Sequence, residues 1–98
     1  MTTVQNNQVQ EYSIIEYSTQ GNSKAKVTIK NISTNIELNN YEDYEGMDYE
    51  DRQDIDVLDS ATYEFDYEDV DFISEDMIID DLKNYADVTL YKILISSK

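Results

Sequence analysis

The sequence predicts a small α+β domain in which a mostly antiparallel sheet of three to five strands carries one helix packed on one face. Three observations support this fold class. Residues 24–30 and residues 61–67 alternate between apolar and polar side chains, and residues 75–86 place apolar side chains at helical spacing. A chain of 98 residues is long enough for one such domain and too short for two.

The first predicted element is a β-hairpin over residues 12–38. Residues 20–23 (Gln-Gly-Asn-Ser) supply the turn, and residues 24–30 then alternate in the manner of a half-buried strand. Residues 1–10 are polar and rich in glutamine and asparagine. We therefore expect a flexible N-terminus over residues 1–10 and a single acidic domain over residues 11–98.

Residues 39–60 leave two interpretations open. Apolar side chains recur at helical spacing, but Gly46 and the crowding of like charges oppose a stable helix. Segment 41–60 is compatible with an acidic loop, and equally with a loop that contains a short helical or extended piece near residues 55–58.

Residues 61–73 predict a strand with Tyr63 and Tyr67 facing the core. The alternation slips by one residue after Tyr67, which indicates a β-bulge or a bend. Ser74 is then the predicted N-cap of a helix of about three turns, which ends at Asp87.

Residues 88–96 are apolar at both alternating sets of positions, which is typical of a strand buried in the middle of a sheet. The order strand, helix, strand over residues 61–96 is compatible with a parallel pair joined by a crossover.

The composition excludes several classes of function. The chain has no Cys, His, Trp or Pro, so thiol and imidazole nucleophiles, disulfides and Cys/His zinc sites are absent. A net charge of −15 disfavours direct binding to nucleic acid or to an anionic membrane. Because the first 22 residues lack the apolar core of a signal peptide, we expect a cytoplasmic protein.

The negative charge is concentrated in one segment. Residues 1–40 are neutral overall and residues 82–98 carry a net charge of +2. Residues 41–81 contain 18 acidic residues and one base, Arg52. Because charge of one sign creates a directed field that captures a basic partner, this segment predicts a contact surface.

Neither a metal site nor an enzyme is predicted from these acidic residues. A calcium-binding helix-loop-helix loop needs Gly at its sixth position, but loops that begin at Asp48 or Asp66 place Gln53 or Asp71 there. Carboxylate pairs at catalytic spacing arise by chance in so acidic a chain, and a small domain has little room for a deep substrate pocket. We expect no cofactor and no catalytic residue.

The spacing of the predicted strand suggests what the acidic residues imitate. Side chains on one face of a strand repeat about every 6.6–6.8 Å, so Glu64, Asp66 and Glu68 form a row of carboxylates. This spacing is about twice the 3.4 Å rise between phosphates on one DNA strand. Exposed tyrosines are favoured at interfaces, and Tyr41, Tyr44 and Tyr49 have no core position in the predicted fold.

The small size, the absence of cysteine and the tract Tyr41–Asp81 with three Asp-Tyr-Glu elements resemble the small acidic DNA-mimic inhibitors of phages and other mobile elements. That class includes anti-restriction proteins, uracil-DNA glycosylase inhibitors and several anti-CRISPR proteins. The resemblance rests on composition and charge layout. It implies a stoichiometric, non-enzymatic inhibitor that acts in the cytoplasm of an infected bacterial host.

We therefore expect an anti-CRISPR-like DNA mimic that occupies the nucleic-acid-binding groove of a CRISPR effector or another defence nuclease. An anti-restriction protein, an antitoxin or immunity-type module for another basic protein, and a protein whose acidity serves only solvation are the alternatives. Both a monomer and a homodimer are compatible with the sequence. The predicted partner-binding residues are Glu42, Asp43, Glu45, Asp48, Glu50, Asp51, Glu64, Asp66, Glu68, Asp69, Asp71, Tyr41, Tyr44 and Tyr49.

Overall fold

The structure, a computed structural model, describes residues 9–97. Its strands are β1 (Gln10–Gln20), β2 (Lys24–Thr34), β3 (Asp56–Asp66) and β4 (Lys92–Ser97), and its helices are α1 (Tyr41–Glu45), α2 (Tyr49–Arg52) and α3 (Glu75–Leu82). The four strands form one sheet in the order β3-β2-β1-β4, in which only the β1–β4 pair is parallel. The predicted α+β class with a small, mostly antiparallel sheet is confirmed.

The predicted hairpin is present as β1 and β2, joined by a three-residue turn. Gly21 has a φ of +56°, which a residue without a side chain adopts at little cost, and the backbone N–H of Ser23 donates to the carbonyl of Gln20 at 3.3 Å. The first eight residues of the predicted flexible N-terminus, 1–10, lie outside the described residues, and Gln10 already belongs to β1.

Each face of the sheet carries its own core. On one face, Ile15, Val27 and Phe65 pack against Ile78 and Leu82 of α3, as expected for one helix on one face. The opposite face is covered by the chain between β2 and β3, whose apolar side chains pack on the sheet. The buried members of this second cluster are Tyr12, Ile14, Ile32, Leu38, Tyr41 and Leu94.

The segment 41–60 is not a loop throughout. It contains α1, α2 and the first five residues of β3. Two N-caps account for the helices, since the side chain of Asn40 accepts from the Asp43 N–H at 2.9 Å and that of Asp48 accepts from the Asp51 N–H at 2.8 Å. Acidic residues in the first turn of each helix also interact favourably with the helix dipole.

Two element boundaries differ from the prediction. β3 ends at Asp66, and the slipped alternation over residues 67–73 lies in a bend in which Asp69 has a φ of +58°. Helix α3 begins after the predicted N-cap Ser74 but ends at Leu82, about two turns later. Its last turn contains Asp80 and Asp81 and no base, a charge arrangement that opposes the helix dipole.

Strand β4 lies at an edge of the sheet, and the predicted central position is wrong. It is nevertheless apolar on both sides because both faces of the sheet are covered where it lies. Leu94 packs into the second cluster, whereas Ile93 and Ile95 pack against the cluster under α3. Strands β3 and β4 run in the same direction, but β2 and β1 separate them.

Candidate partner-binding surface

The acidic residues of α1, of α2 and of the turn between them lie within residues 41–52, which we call the acidic helical segment. Its carboxylates project from two short helices on the face of the sheet opposite α3. Of the six predicted acidic residues in this segment, Asp51 is half-buried and five are exposed: Glu42, Asp43, Glu45, Asp48 and Glu50.

Tyr41 anchors this segment to the sheet. Its side chain is only 8% exposed, and its hydroxyl donates a hydrogen bond to the carboxylate of Glu16 on β1. Burial, and then the hydrogen bond and charge of Glu16, raise the pKa of Tyr41 above its ordinary value. The first helix is therefore fixed on the body of the protein by a partly buried hydrogen bond.

The side chain of Arg52, in α2, contacts the C-terminal end of α1. Its guanidinium donates to the backbone carbonyls of Met47 at 3.2 Å, Tyr44 at 3.2 Å and Glu45 at 3.0 Å, and it lies 5.4 Å from the centre of the Tyr44 ring. The carbonyls of Tyr44 and Glu45 lie in the last turn of α1 and that of Met47 follows it, and a cation is favoured at this end of a helix. No role for Arg52 was expected from the sequence, although its position as the one base in residues 41–81 was a signal.

The three tyrosines predicted as interface anchors have different environments. Tyr41 is a core residue, so the expectation that it is exposed is wrong. Tyr44 is half-buried against it, with ring centres 5.8 Å apart. Tyr49 is 76% exposed and is available to a partner. The difference arises because Tyr41 faces the sheet from α1, whereas Tyr49 opens α2 on its solvent side.

The predicted row of carboxylates on the strand contains only two of its three members, and a lysine lies opposite each of them. Glu64 lies opposite Lys26 on β2, and Asp66 lies opposite Lys24. The neighbouring side chains Thr28 and Thr62 approach to 3.1 Å, so groups that face each other across β2 and β3 are close. Glu68 follows the end of β3 and does not extend the row.

A second group of acidic residues lies beyond the strand. Glu68, Asp69 and Asp71 are exposed in the chain between β3 and α3. Residues 68–81 contain seven acidic residues and no base. Negative charge that lacks a facing lysine is thus concentrated in the acidic helical segment and in residues 68–81, which follow β3.

Within residues 9–97, no three carboxylates converge closely enough to hold a metal ion. In the same range, no helix combines the length and apolarity needed to cross a bilayer.

Comparison of the chain with protein-family models, with curated proteins and with solved structures finds no match.

Proposed function

We propose that the protein is a stoichiometric inhibitor whose acidic helical segment occupies the nucleic-acid-binding groove of a basic host defence protein, as a DNA mimic. The preferred target is a CRISPR effector or another defence nuclease in the cytoplasm of an infected bacterium. Inhibition by occupancy requires no catalytic residue and no cofactor.

The observation that carries this proposal is the anchoring of the acidic helical segment by Tyr41 and Arg52. Acidic residues that served only solvation would need no fixed arrangement. Holding like charges together on two short helices costs folding free energy through repulsion. A fixed arrangement of charges offsets that cost, because side chains that are already ordered lose less conformational entropy when a partner binds.

The structure changes which acidic residues we expect to matter most. Glu64 and Asp66 face lysines on β2, so their field toward a partner is reduced. The acidic helical segment contains a single base, and the guanidinium of that Arg52 is directed at backbone carbonyls. We therefore assign the main phosphate-like contacts to Glu42, Asp43, Glu45, Asp48 and Glu50, with Tyr49 as the aromatic contact.

The test is a capture experiment with a matched pair of variants. The immobilised protein is exposed to a lysate of a CRISPR- and restriction-positive bacterium, and the bound proteins are challenged with short duplex DNA. The variant Glu42→Gln/Glu45→Gln removes two charges from the acidic helical segment. The control Glu11→Gln/Glu37→Gln removes two exposed charges from elsewhere.

We expect DNA to release a nucleic-acid enzyme, and capture to weaken steeply between about 50 and about 200 mM salt. The variant in the acidic helical segment should weaken capture and the control should not. Capture that resists DNA would instead support an immunity-type module, and equal effects of the two variants would contradict the assigned surface. If nothing is captured, the proposal fails.

A further inference from the structure

Among residues 9–97, no strand pairs with the outer side of β3, which forms an edge of the sheet. It is last in the order β3-β2-β1-β4, and eight of its eleven residues are exposed. Two apolar side chains, Val57 and Leu58, are more than half exposed on it. A long edge strand of this kind presents unpaired backbone groups that can pair with another chain.

The register identifies the backbone groups that face outward. The N–H of Tyr67 donates to the carbonyl of Ser23 at 2.7 Å, directly after the Lys24–Asp66 pair. In an antiparallel ladder, such hydrogen-bonded pairs recur at every second residue. The odd-numbered residues of β3 from 59 to 65 therefore bond to β2. The outward N–H and C=O groups belong to Ser60, Thr62, Glu64 and Asp66.

A groove lies along the same edge. It has a volume of about 260 Å³ and is lined by Glu64, Phe65, Asp66, Asp81, Asn84 and Tyr85. These residues supply three carboxylates, one amide and two aromatic rings, and no base. Tyr85 is 63% exposed, and its ring stacks on Phe65 with centres 5.9 Å apart. Carboxylates beside an exposed aromatic ring suit a guanidinium group.

We propose that β3 binds an extended, arginine-bearing segment of a partner as an added strand, with one arginine side chain in this groove. This inference rests on the proposed function and deepens it, because a surface that binds nucleic acid supplies arginine side chains. A second copy of the chain is a poorer occupant. Strand β3 contains four acidic residues and no base, so pairing with a second copy would bring like charges together, and like charges across a ladder are destabilising.

The first test uses a synthetic peptide in which arginine alternates with threonine, titrated against the full chain. The control peptide has the same sequence with its alternate backbone amides N-methylated, which keeps the charge and removes the hydrogen-bond donors. We expect the control to bind at least about tenfold more weakly. We also expect the amide protons of Thr62 and Glu64 to exchange more slowly when the first peptide is bound. Equal binding of the two peptides would overturn the proposal.

The second test changes the protein. Thr62→Pro removes one outward N–H, and proline is tolerated where the N–H of an edge strand faces solvent. Thr62→Val is the matched control, since it keeps the N–H and loses the same hydroxyl contact to Thr28. We expect the proline variant alone to lose affinity for the peptide, and Ser60→Pro serves the same purpose if Thr62→Pro fails to fold.

The outcomes separate this inference from the proposed function. If a nucleic-acid enzyme is captured and released by DNA but Thr62→Pro has no effect on peptide binding, the added strand is wrong and the inhibitor remains supported. If the peptide binds through β3 and no such enzyme is captured, the binding of an added strand by β3 is supported and the proposed inhibitor function is contradicted. If the wild-type protein is a dimer and Thr62→Pro abolishes that dimer, the β3 edge binds a second copy of the chain. That result would contradict an arginine-bearing segment as its occupant.

Discussion

The partly buried hydroxyl of Tyr41 donates a hydrogen bond to the carboxylate of Glu16, and this contact joins α1 to the central strand β1. The two residues are 25 positions apart in the sequence. Because a hydrogen bond to an ionised acceptor is stronger than one to a neutral group, this contact is a principal anchor of the acidic helical segment.

Removing the Tyr41 hydroxyl should therefore destabilise the protein. We expect Tyr41→Phe to lower the free energy of unfolding by about 1.5–3 kcal/mol, the range for hydrogen bonds to charged groups. Urea unfolding at neutral pH measures the change. Tyr49→Phe is the control, because Tyr49 is exposed and its variant should match the wild type. Equal stability of Tyr41→Phe and wild type would show that the contact is not an anchor.

The same tyrosine predicts a loss of stability in alkali. Burial, followed by Glu16, raises the pKa of Tyr41, and burial, followed by Asp81, raises the pKa of Tyr67. The unfolded chain releases these protons near pH 10, while the folded protein retains them. The stability that these two tyrosines contribute is thus fully present below about pH 10 and is lost as the pH rises through their raised pKa values.

Urea unfolding at about pH 8, about pH 9.5 and about pH 11 tests this linkage. We expect the stability of the wild type to fall over the upper interval, and that of Tyr41→Phe to fall less steeply because one contributing proton is gone. An identical slope in the two proteins would mean that Tyr41 titrates normally in the folded state.

Arg52 should order the acidic helical segment without affecting the rest of the fold. Arg52→Gln removes the hydrogen bonds to the three carbonyls, and we expect faster amide hydrogen exchange over residues 41–52. Lys83→Gln removes one positive charge elsewhere and is the matched control. Faster exchange in both variants would attribute the effect to net charge and not to the contacts of Arg52.

The features that the sequence predicted correctly are those with local causes. The β1–β2 turn depends on Gly21 and its neighbours, and the start of α3 depends on the side chain of Ser74. Both causes lie within a few residues of the structure that they determine. The alternation of apolar side chains likewise identified the strands, because it reflects which face is buried.

The features that it missed depend on contacts between distant parts of the chain. The burial of Tyr41 requires Glu16 and the β1 members of the second cluster, Tyr12 and Ile14, all of which are distant in sequence. The facing pairs of Glu64 with Lys26 and Asp66 with Lys24 depend on the register of β3. The edge position of β4 depends on which segments cover the two faces. For the candidate surface, the sequence indicated the acidic tract, but it could not indicate which carboxylates face lysines.

Screening should stabilise a chain with this charge distribution. The net charge is −15, and residues 41–81 contain 18 acidic residues and one base. Repulsion between exposed charges is reduced when added salt shortens the screening length to about 8 Å at physiological ionic strength. We expect the midpoint of thermal unfolding to rise as sodium chloride is added to a low-salt buffer. A midpoint that does not change would indicate that the acidic groups are already too far apart, or too well compensated, to repel one another.

The facing positions of Lys26 and Glu64 predict a measurable coupling between β2 and β3. Glu64→Lys places two cations opposite each other, and Lys26→Glu places two anions there. We expect each single reversal to lower the free energy of unfolding. The exchanged pair Lys26→Glu/Glu64→Lys should recover part of that loss. The coupling free energy should be about 0.2–1 kcal/mol, the range for opposed charges across a ladder.

A double-mutant cycle by urea unfolding isolates this coupling from the overall charge. The comparison pair Lys26→Glu with Asp76→Lys produces the same changes of charge at positions that do not face each other, since Asp76 lies on α3. Its coupling should be near zero. Equal coupling for the two pairs would mean that the total charge of the chain controls stability. A coupling found only for Lys26 and Glu64 would show that the facing charges on the sheet attract each other. The acidic helical segment would then be the surface whose negative charge no facing lysine offsets.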